Sequence, residues 1–229
     1  MKKICIICPS DNELAPFLAE LKDYTQMEKS GLTIYDGTIR NIPVLLLYCG
    51  VCKVNAAIAA QLVAYTCDVA AIINAGVAGG MDTQLKIFDT VVSTECCYHD
   101  VTEDILTEFH PWMKTIWFRS DEKLLNAAHA VAAGKASSDS SVYFGRTVTG
   151  ESFITDDGRE DINRRFAPLS VDMETAAVAH VCYVNKIPFI AVRTITDTAD
   201  HSGIDTFQEN CPKAASIAKD FVCELISRI

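Results

Sequence analysis

"LSVDMETAAVAHVCYVNKIPFIAVRTITDTAD", residues 169–200, reads as strand, helix, strand. "LSVDM" and "PFIAVRTIT" are short β-rich runs, and "METAAVAHVCYVN" between them has helical character. Charge sits where the apolar pattern does not ask for it. Asp172 is well placed as a helix N-cap, and Glu174 in a first turn gains roughly 0.3–1 kcal/mol from the helix dipole, so a structural reading accounts for both. Arg193 and Asp197 resist that reading, because they interrupt a strand with the apolar look of one buried on both faces. Desolvating either charge without a partner costs several kcal/mol.

The same alternation extends through the rest of the chain. "KICII", "LTIYDGTI", "IPVLLLYC", "AAIINAG", "DTVVSTECCYH" and "YFGRTVTGE" read as strands. "DNELAPFLAELKD", "KVNAAIAAQLVAYTC", "DEKLLNAAHAVAAG" and the terminal "CPKAASIAKDFVCELISRI" read as helices. Apolar strands separated by helices predict an α/β fold with a mainly parallel sheet covered on both faces. Ligands of such folds sit at the carboxyl ends of the strands. No repeat, low-complexity tract or linker interrupts the pattern, so residues 1–229 are expected to form a single domain.

At 229 residues and 49% hydrophobic, the chain can bury a sizeable core. Its net charge of -10, without a Lys/Arg cluster, excludes a non-specific grip on nucleic acid or anionic lipid. "MKKICIICPSDNE" carries too short an apolar run for a signal peptide, and nothing approaches a membrane span, which predicts a cytoplasmic protein. Ten cysteines include two Cys-x-x-Cys pairs, Cys5/Cys8 and Cys49/Cys52. Cys5 lies inside one strand-like run and Cys49 ends another, so free thiols are expected rather than a zinc site.

Two further segments follow strands directly. In "PSDNEL", Ser10 and Asp11 suit an N-cap, yet Glu13 stands where open α/β sheets hold ligands. In "NAGVAGG", Asn74–Gly80, the glycines serve either a tight turn or a close backbone approach to a ligand. It matches neither a P-loop nor a dinucleotide fingerprint. From Asp100 to Arg119 the pattern is irregular, and Phe109, Trp112, Trp117 and Phe118 crowd together as a local hydrophobic cluster or an oligomer contact.

"VDMETAAVAHVCYVNKIPFIAVRTITDTAD", "ICIICPSDNEL", "INAGVAGG" and "TGESFI" together resemble the nucleoside phosphorylase superfamily, and within it the bacterial methylthioadenosine/S-adenosylhomocysteine nucleosidases. The likeness covers essentially the whole chain. It implies a three-layer α/β fold with a central mixed sheet flanked by helices, acting as a homodimer without metal or cofactor. It also implies that Glu13 activates a water, that Glu174 and the Met173 backbone hold the ribose hydroxyls, and that Asp197 protonates or hydrogen-bonds the departing base. Phe153 would stack on the purine, Ile154 would offer it backbone hydrogen bonds, Gly79 would line the pocket, Phe207 would close over it, and Arg193 would place the water or the acids. An N-ribosidic bond breaks with positive charge on the sugar and negative charge on the base, so carboxylates at the sugar and an acid at the base suit the chemistry.

Phosphorylases of this superfamily place arginines around a phosphate, and here Glu13 stands where that anion would need a cation. Hydrolysis of 5'-substituted adenosines is therefore expected. A purine or futalosine-type nucleosidase, a phosphorylase and a non-catalytic nucleoside sensor are the alternatives. Val77, Ser10 and Thr196 depart from the family pattern. Ser10 replaces a larger apolar residue, which predicts extra room for the substrate's 5' end.

Overall fold

The computed structural model describes residues 2–109, 113–134, 140–155, 158–201 and 203–229. Among the described residues, ten strands form one sheet. They are β1 (Lys3–Cys8), β2 (Lys22–Lys29), β3 (Leu32–Ile39), β4 (Ile42–Tyr48), β5 (Val69–Gly80), β6 (Thr90–Tyr98), β7 (Phe118–Arg119), β8 (Val142–Thr149), β9 (Ser170–Asp172) and β10 (Phe189–Asp197). Seven helices accompany them: α1 (Asp11–Glu20), α2 (Lys53–Thr66), α3 (Glu103–Glu108), α4 (Glu122–Gly134), α5 (Arg159–Phe166), α6 (Thr175–Asn185) and α7 (Ile204–Ile226).

Three layers result. On one face of the sheet, Leu14 and Phe17 of α1, Ala128 and Val131 of α4 and Phe221 of α7 pack on Ile4, Ile6 and Ile73. On the other, Ala56, Ala59 and Ala60 of α2 and Ala176–Ala179 of α6 pack on Cys5, Ile7, Leu45 and Ile72. Small residues on α2 and α6 let the two helices lie close to each other and to the sheet, and every buried apolar side chain adds about 25 cal/mol per Å² removed from water. Cys5 and Cys8 fall into these two different cores, on opposite faces of β1. Two thiols so divided cannot share a metal ion.

The sheet is mixed rather than mainly parallel. β1 pairs in parallel with β4 and β5, while β2–β3–β4 form an antiparallel meander at one edge. Beyond β5 the sheet curls through β9, β8, β6 and β10 and returns to β5, closing a ring. The meander edge holds one of the two strands that the apolar pattern misses, the other being the two-residue β7. "KDYTQMEK" of β2 is exposed along nearly its whole length, so it carries no alternating apolar signal. α5 is missed for a similar reason, being strongly polar apart from Ile162 and Phe166, which cover one end of the ring. The last helix begins at Ile204, seven residues ahead of the expected start at Cys211, because Pro212 lies within it, where the sequence suggests a helix N-terminus.

The aromatic segment divides. Phe118 is buried and stacks on His180 at 4.8 Å between ring centroids, and Trp117 meets Phe166 edge-on at 6.2 Å. These two form local clusters, whereas Phe109 is exposed. Trp112 lies outside the described residues.

Candidate active site

Where β5, β9 and β10 end, a cavity of about 300 Å³ opens. Glu13, Gly79, Phe153, Met173, Glu174, Asp197 and Phe207 all line it. A smaller hollow of about 30 Å³, lined by Ile154 and shared with Gly79, Phe153, Met173 and Asp197, adjoins it. Arg193 lies behind the wall, with none of its surface exposed. The fold therefore brings all nine sequence-predicted site positions to one place, drawn from α1, β5, the loop after β8, the β9–α6 junction, β10 and α7.

Arg193 is the hub. Its Nε stands 3.1 Å from Asp172 Oδ2, and Nη2 stands 3.5 Å from Glu174 Oε2. Nη1 stands 3.9 Å from Glu13 Oε1. Nη2 also donates to Asn74 Oδ1 at 2.6 Å and to Thr175 Oγ1 at 3.1 Å. One guanidinium thus serves three buried carboxylates. Burial raises the Glu13 and Glu174 carboxyls above their ordinary range, and Arg193 opposes the rise in both.

Asp172 does cap, although at a strand end. Its Oδ1 accepts the N–H groups of Glu174 at 3.1 Å and Thr175 at 3.0 Å, and the Thr149 hydroxyl at 2.7 Å. Glu174 precedes the helix rather than lying in its first turn, so the dipole argument does not apply to it. Its Oε1 instead accepts the Cys52 N–H at 2.9 Å, across from α2.

The glycines of "NAGVAGG" belong to a continuous strand and make no turn. Their use is proximity. A Cβ at Gly76 would overlap Glu13 Oε1, and one at Gly79 would sit 3.2 Å from Asp197 Oδ2. Val77 lines the cavity and donates its backbone N–H to Glu13 Oε1 at 2.9 Å. Thr196 donates its hydroxyl to Asp197 Oδ1 at 2.8 Å. Asp197 Oδ2 is buried with no hydrogen-bond partner among the described residues, and burial raises this carboxyl, against the Thr196 bond and the nearby Arg159. Ser10 adds no wall to the cavity. Its neighbour Pro9 lines it, and the Ser10 hydroxyl turns instead onto Glu13.

Phe153 and Phe207 meet edge-on at 5.8 Å at the cavity mouth, and both are partly exposed. Sequence reasoning missed Asn74, Thr175, Thr149 and Arg159, all of them buried and polar. Asn74 had a usable signal, a lone polar residue ending the apolar run "AAIIN". Among the described residues, no group of three or more His, Cys, Asp or Glu side chains has the geometry to hold a metal ion.

A curled mixed sheet with helices on both faces, bearing a carboxylate-ringed cavity at its strand ends, is the architecture of the phosphorylase superfamily, and the chain belongs to that family, whose profile matches residues 3–227. Within it, the chain is 31% identical to a 5'-methylthioadenosine/S-adenosylhomocysteine nucleosidase of Anoxybacillus flavithermus, over 99% of this chain and 98% of that one. The nucleosidase of the same name from Colwellia psychrerythraea 34H, solved in complex with adenine, superposes with a TM-score of 0.90 at 29% identity, covering 99% of this chain and 95% of that one. That of Neisseria meningitidis, in complex with methylthio-immucillin-A, gives 0.90 at 26% identity over the full length of both.

Proposed function

We propose that the chain is an N-glycosyl hydrolase that cleaves the N-ribosidic bond of 5'-substituted adenosines, methylthioadenosine and S-adenosylhomocysteine, to adenine and the thioribose sugar. The observation that carries this reading is one apolar cavity bearing two buried carboxyls with raised proton affinity, Glu13 and Asp197, on separate elements. Glu13 takes a proton from the attacking water. Glu174, with the Met173 backbone, holds the ribose hydroxyls and faces the positive charge that grows on the sugar. Phe153 stacks on the purine, Ile154 offers it backbone hydrogen bonds, and Gly79 leaves space for it against Asp197. Asp197 gives its proton to the leaving base, a task that burial assists by keeping the proton on. Arg193 positions Glu13 and Glu174, and Phe207 closes the mouth.

The acceptor is water. A phosphate dianion would meet Glu13 and Glu174, while Arg193 is already engaged by three carboxylates. Adenine and a free sugar are expected in phosphate-free buffer at an undiminished rate. Turnover that requires phosphate and yields a sugar 1-phosphate would reverse the assignment to a phosphorylase.

The whole of residues 1–229 is read as one domain, supported by a single sheet running from β1 to β10. A cytoplasmic homodimer is part of the same reading. Among the described residues no helix is long and apolar enough to cross a membrane. Val54, Ile58 and Tyr65 of α2 and Tyr183 and Val184 of α6 are exposed on two adjoining helices, an apolar face of the kind a partner covers. Val51, just ahead of α2, is exposed and also lines the cavity, so a partner on this face would reach its mouth.

An apolar 5' end is favoured by Pro9, Val51, Val77, Ile204 and Phe207 in the lining. Burying about 60 Å² of a thioether tail contributes about 1.5 kcal/mol, or roughly tenfold in affinity. Methylthioadenosine is expected to exceed adenosine by at least that factor in kcat/KM, and dilution below the dimer dissociation constant should erode the advantage. Equal use of the two would favour a plain purine nucleosidase.

A further inference from the structure

Both oxygens of Glu13 are held by direct donors. Oε1 accepts the Val77 N–H at 2.9 Å, and Oε2 accepts the Ser10 hydroxyl at 2.6 Å. Ser10 also caps α1, its oxygen receiving the Glu13 N–H at 3.4 Å. The same side chain therefore meets Glu13 twice, at the backbone and at the carboxyl. The other charged or titratable groups facing Glu13 come from five places in the fold. Arg193 on β10 is the only cation among these groups of the described residues, and it is shared with Asp172 and Glu174 at shorter distances. Glu174 repels a negative Glu13, and the thiols of Cys8 on β1, Cys49 after β4 and Cys211 on α7 are held neutral by burial.

We propose that Ser10 is a positioning residue for the hydrolysis, its hydroxyl proton fixing the Glu13 carboxylate in the ionised, water-accepting form and in one orientation. The inference rests on the reading of Glu13 as the base. Its physical ground is that a hydrogen bond to a buried carboxylate favours the charged form, and that the next available cation stands beyond hydrogen-bond reach and is already committed. The sign is fixed: without the Ser10 proton, Glu13 binds its own proton more tightly, and less of it is free to act as a base at a given pH.

The test is the pH profile of kcat/KM for adenine release from methylthioadenosine by the full-length protein and its Ser10→Ala, Ser10→Thr and Ser10→Asp variants. In Ser10→Ala the acid limb should move to higher pH by about one unit, while the alkaline limb, set by Asp197, stays in place. Ser10→Thr should restore the original profile. Ser10→Asp caps a helix as well as Ser does but presents a negative charge to Glu13, so its acid limb should move further still. It also carries the test should the Ala variant lose its first helix. A rate that falls equally at every pH, with the acid limb unmoved, would mark Ser10 as a helix cap alone and overturn the proposal. A wild-type protein that releases no adenine would remove the nucleosidase reading and this inference together.

Discussion

Replacing Asp197 by Asn is expected to lower adenine release from methylthioadenosine by about 10²-fold or more, the range that separates a positioned general acid from none. The substitution is nearly isosteric, and the amide carbonyl can still accept the Thr196 hydroxyl that now binds Oδ1 at 2.8 Å. What is lost is the proton on Oδ2, the oxygen that is buried at the cavity wall without a partner among the described residues. Burial raises the Asp197 carboxyl, so the acid form persists to higher pH than in an exposed aspartate, and activity should fall as pH rises through its pKa. The variant should therefore lose the alkaline limb of the pH profile as well as the rate. Thermal unfolding measured alongside should change little, and near-normal turnover in a folded variant would take Asp197 out of the mechanism.

Arg193→Met should be the most destabilising substitution in the site. Methionine fills much of the volume, but Asp172, Glu174 and Glu13, all buried, lose their shared counter-charge. Breaking a buried pair from one side costs about 3–5 kcal/mol, because the remaining charge stays desolvated. Glu13 and Glu174, whose carboxyls burial already raises, can escape part of that cost by taking up protons, which they do more readily at lower pH. The deficit in urea unfolding should accordingly be larger at pH 8 than at pH 6. A loss under about 1 kcal/mol at both pH values would mean that the three acids are held by their other hydrogen bonds rather than by the guanidinium.

The sequence made the strands of the core legible, since β1, β4, β5 and β10 are apolar runs bounded by turns or helices. Of the site's charged residues, Arg193 and Asp197 stood out because they interrupt the apolar run of β10, whereas Glu13 and Glu174 could pass for ordinary residues at helix starts and took their roles from the family resemblance. Their neutral partners did not stand out. Thr175, Asn74 and Ser10 act through hydrogen bonds to residues far away in the chain or through a second role behind a helix cap, and neither leaves a periodicity. The return of the sheet to β5 was hidden for a related reason. β9 has only three residues, and pairing between β5 and β10 is decided by tertiary closure rather than by either strand's own pattern.

That closure also orders events in time. Arg193 and Asn74, hydrogen-bonded across the seam, are 119 positions apart in sequence. Glu13 is synthesised near the beginning of the chain and its counter-charge near the end, so the buried charge cluster is completed only when β10 docks. Contacts this distant form late and slowly, since the entropy of closing the intervening loop must be overcome before they return anything. A chain cut short before β10 would lack its ring and its cation at once, because β10 both bridges β5 to β6 and carries Arg193.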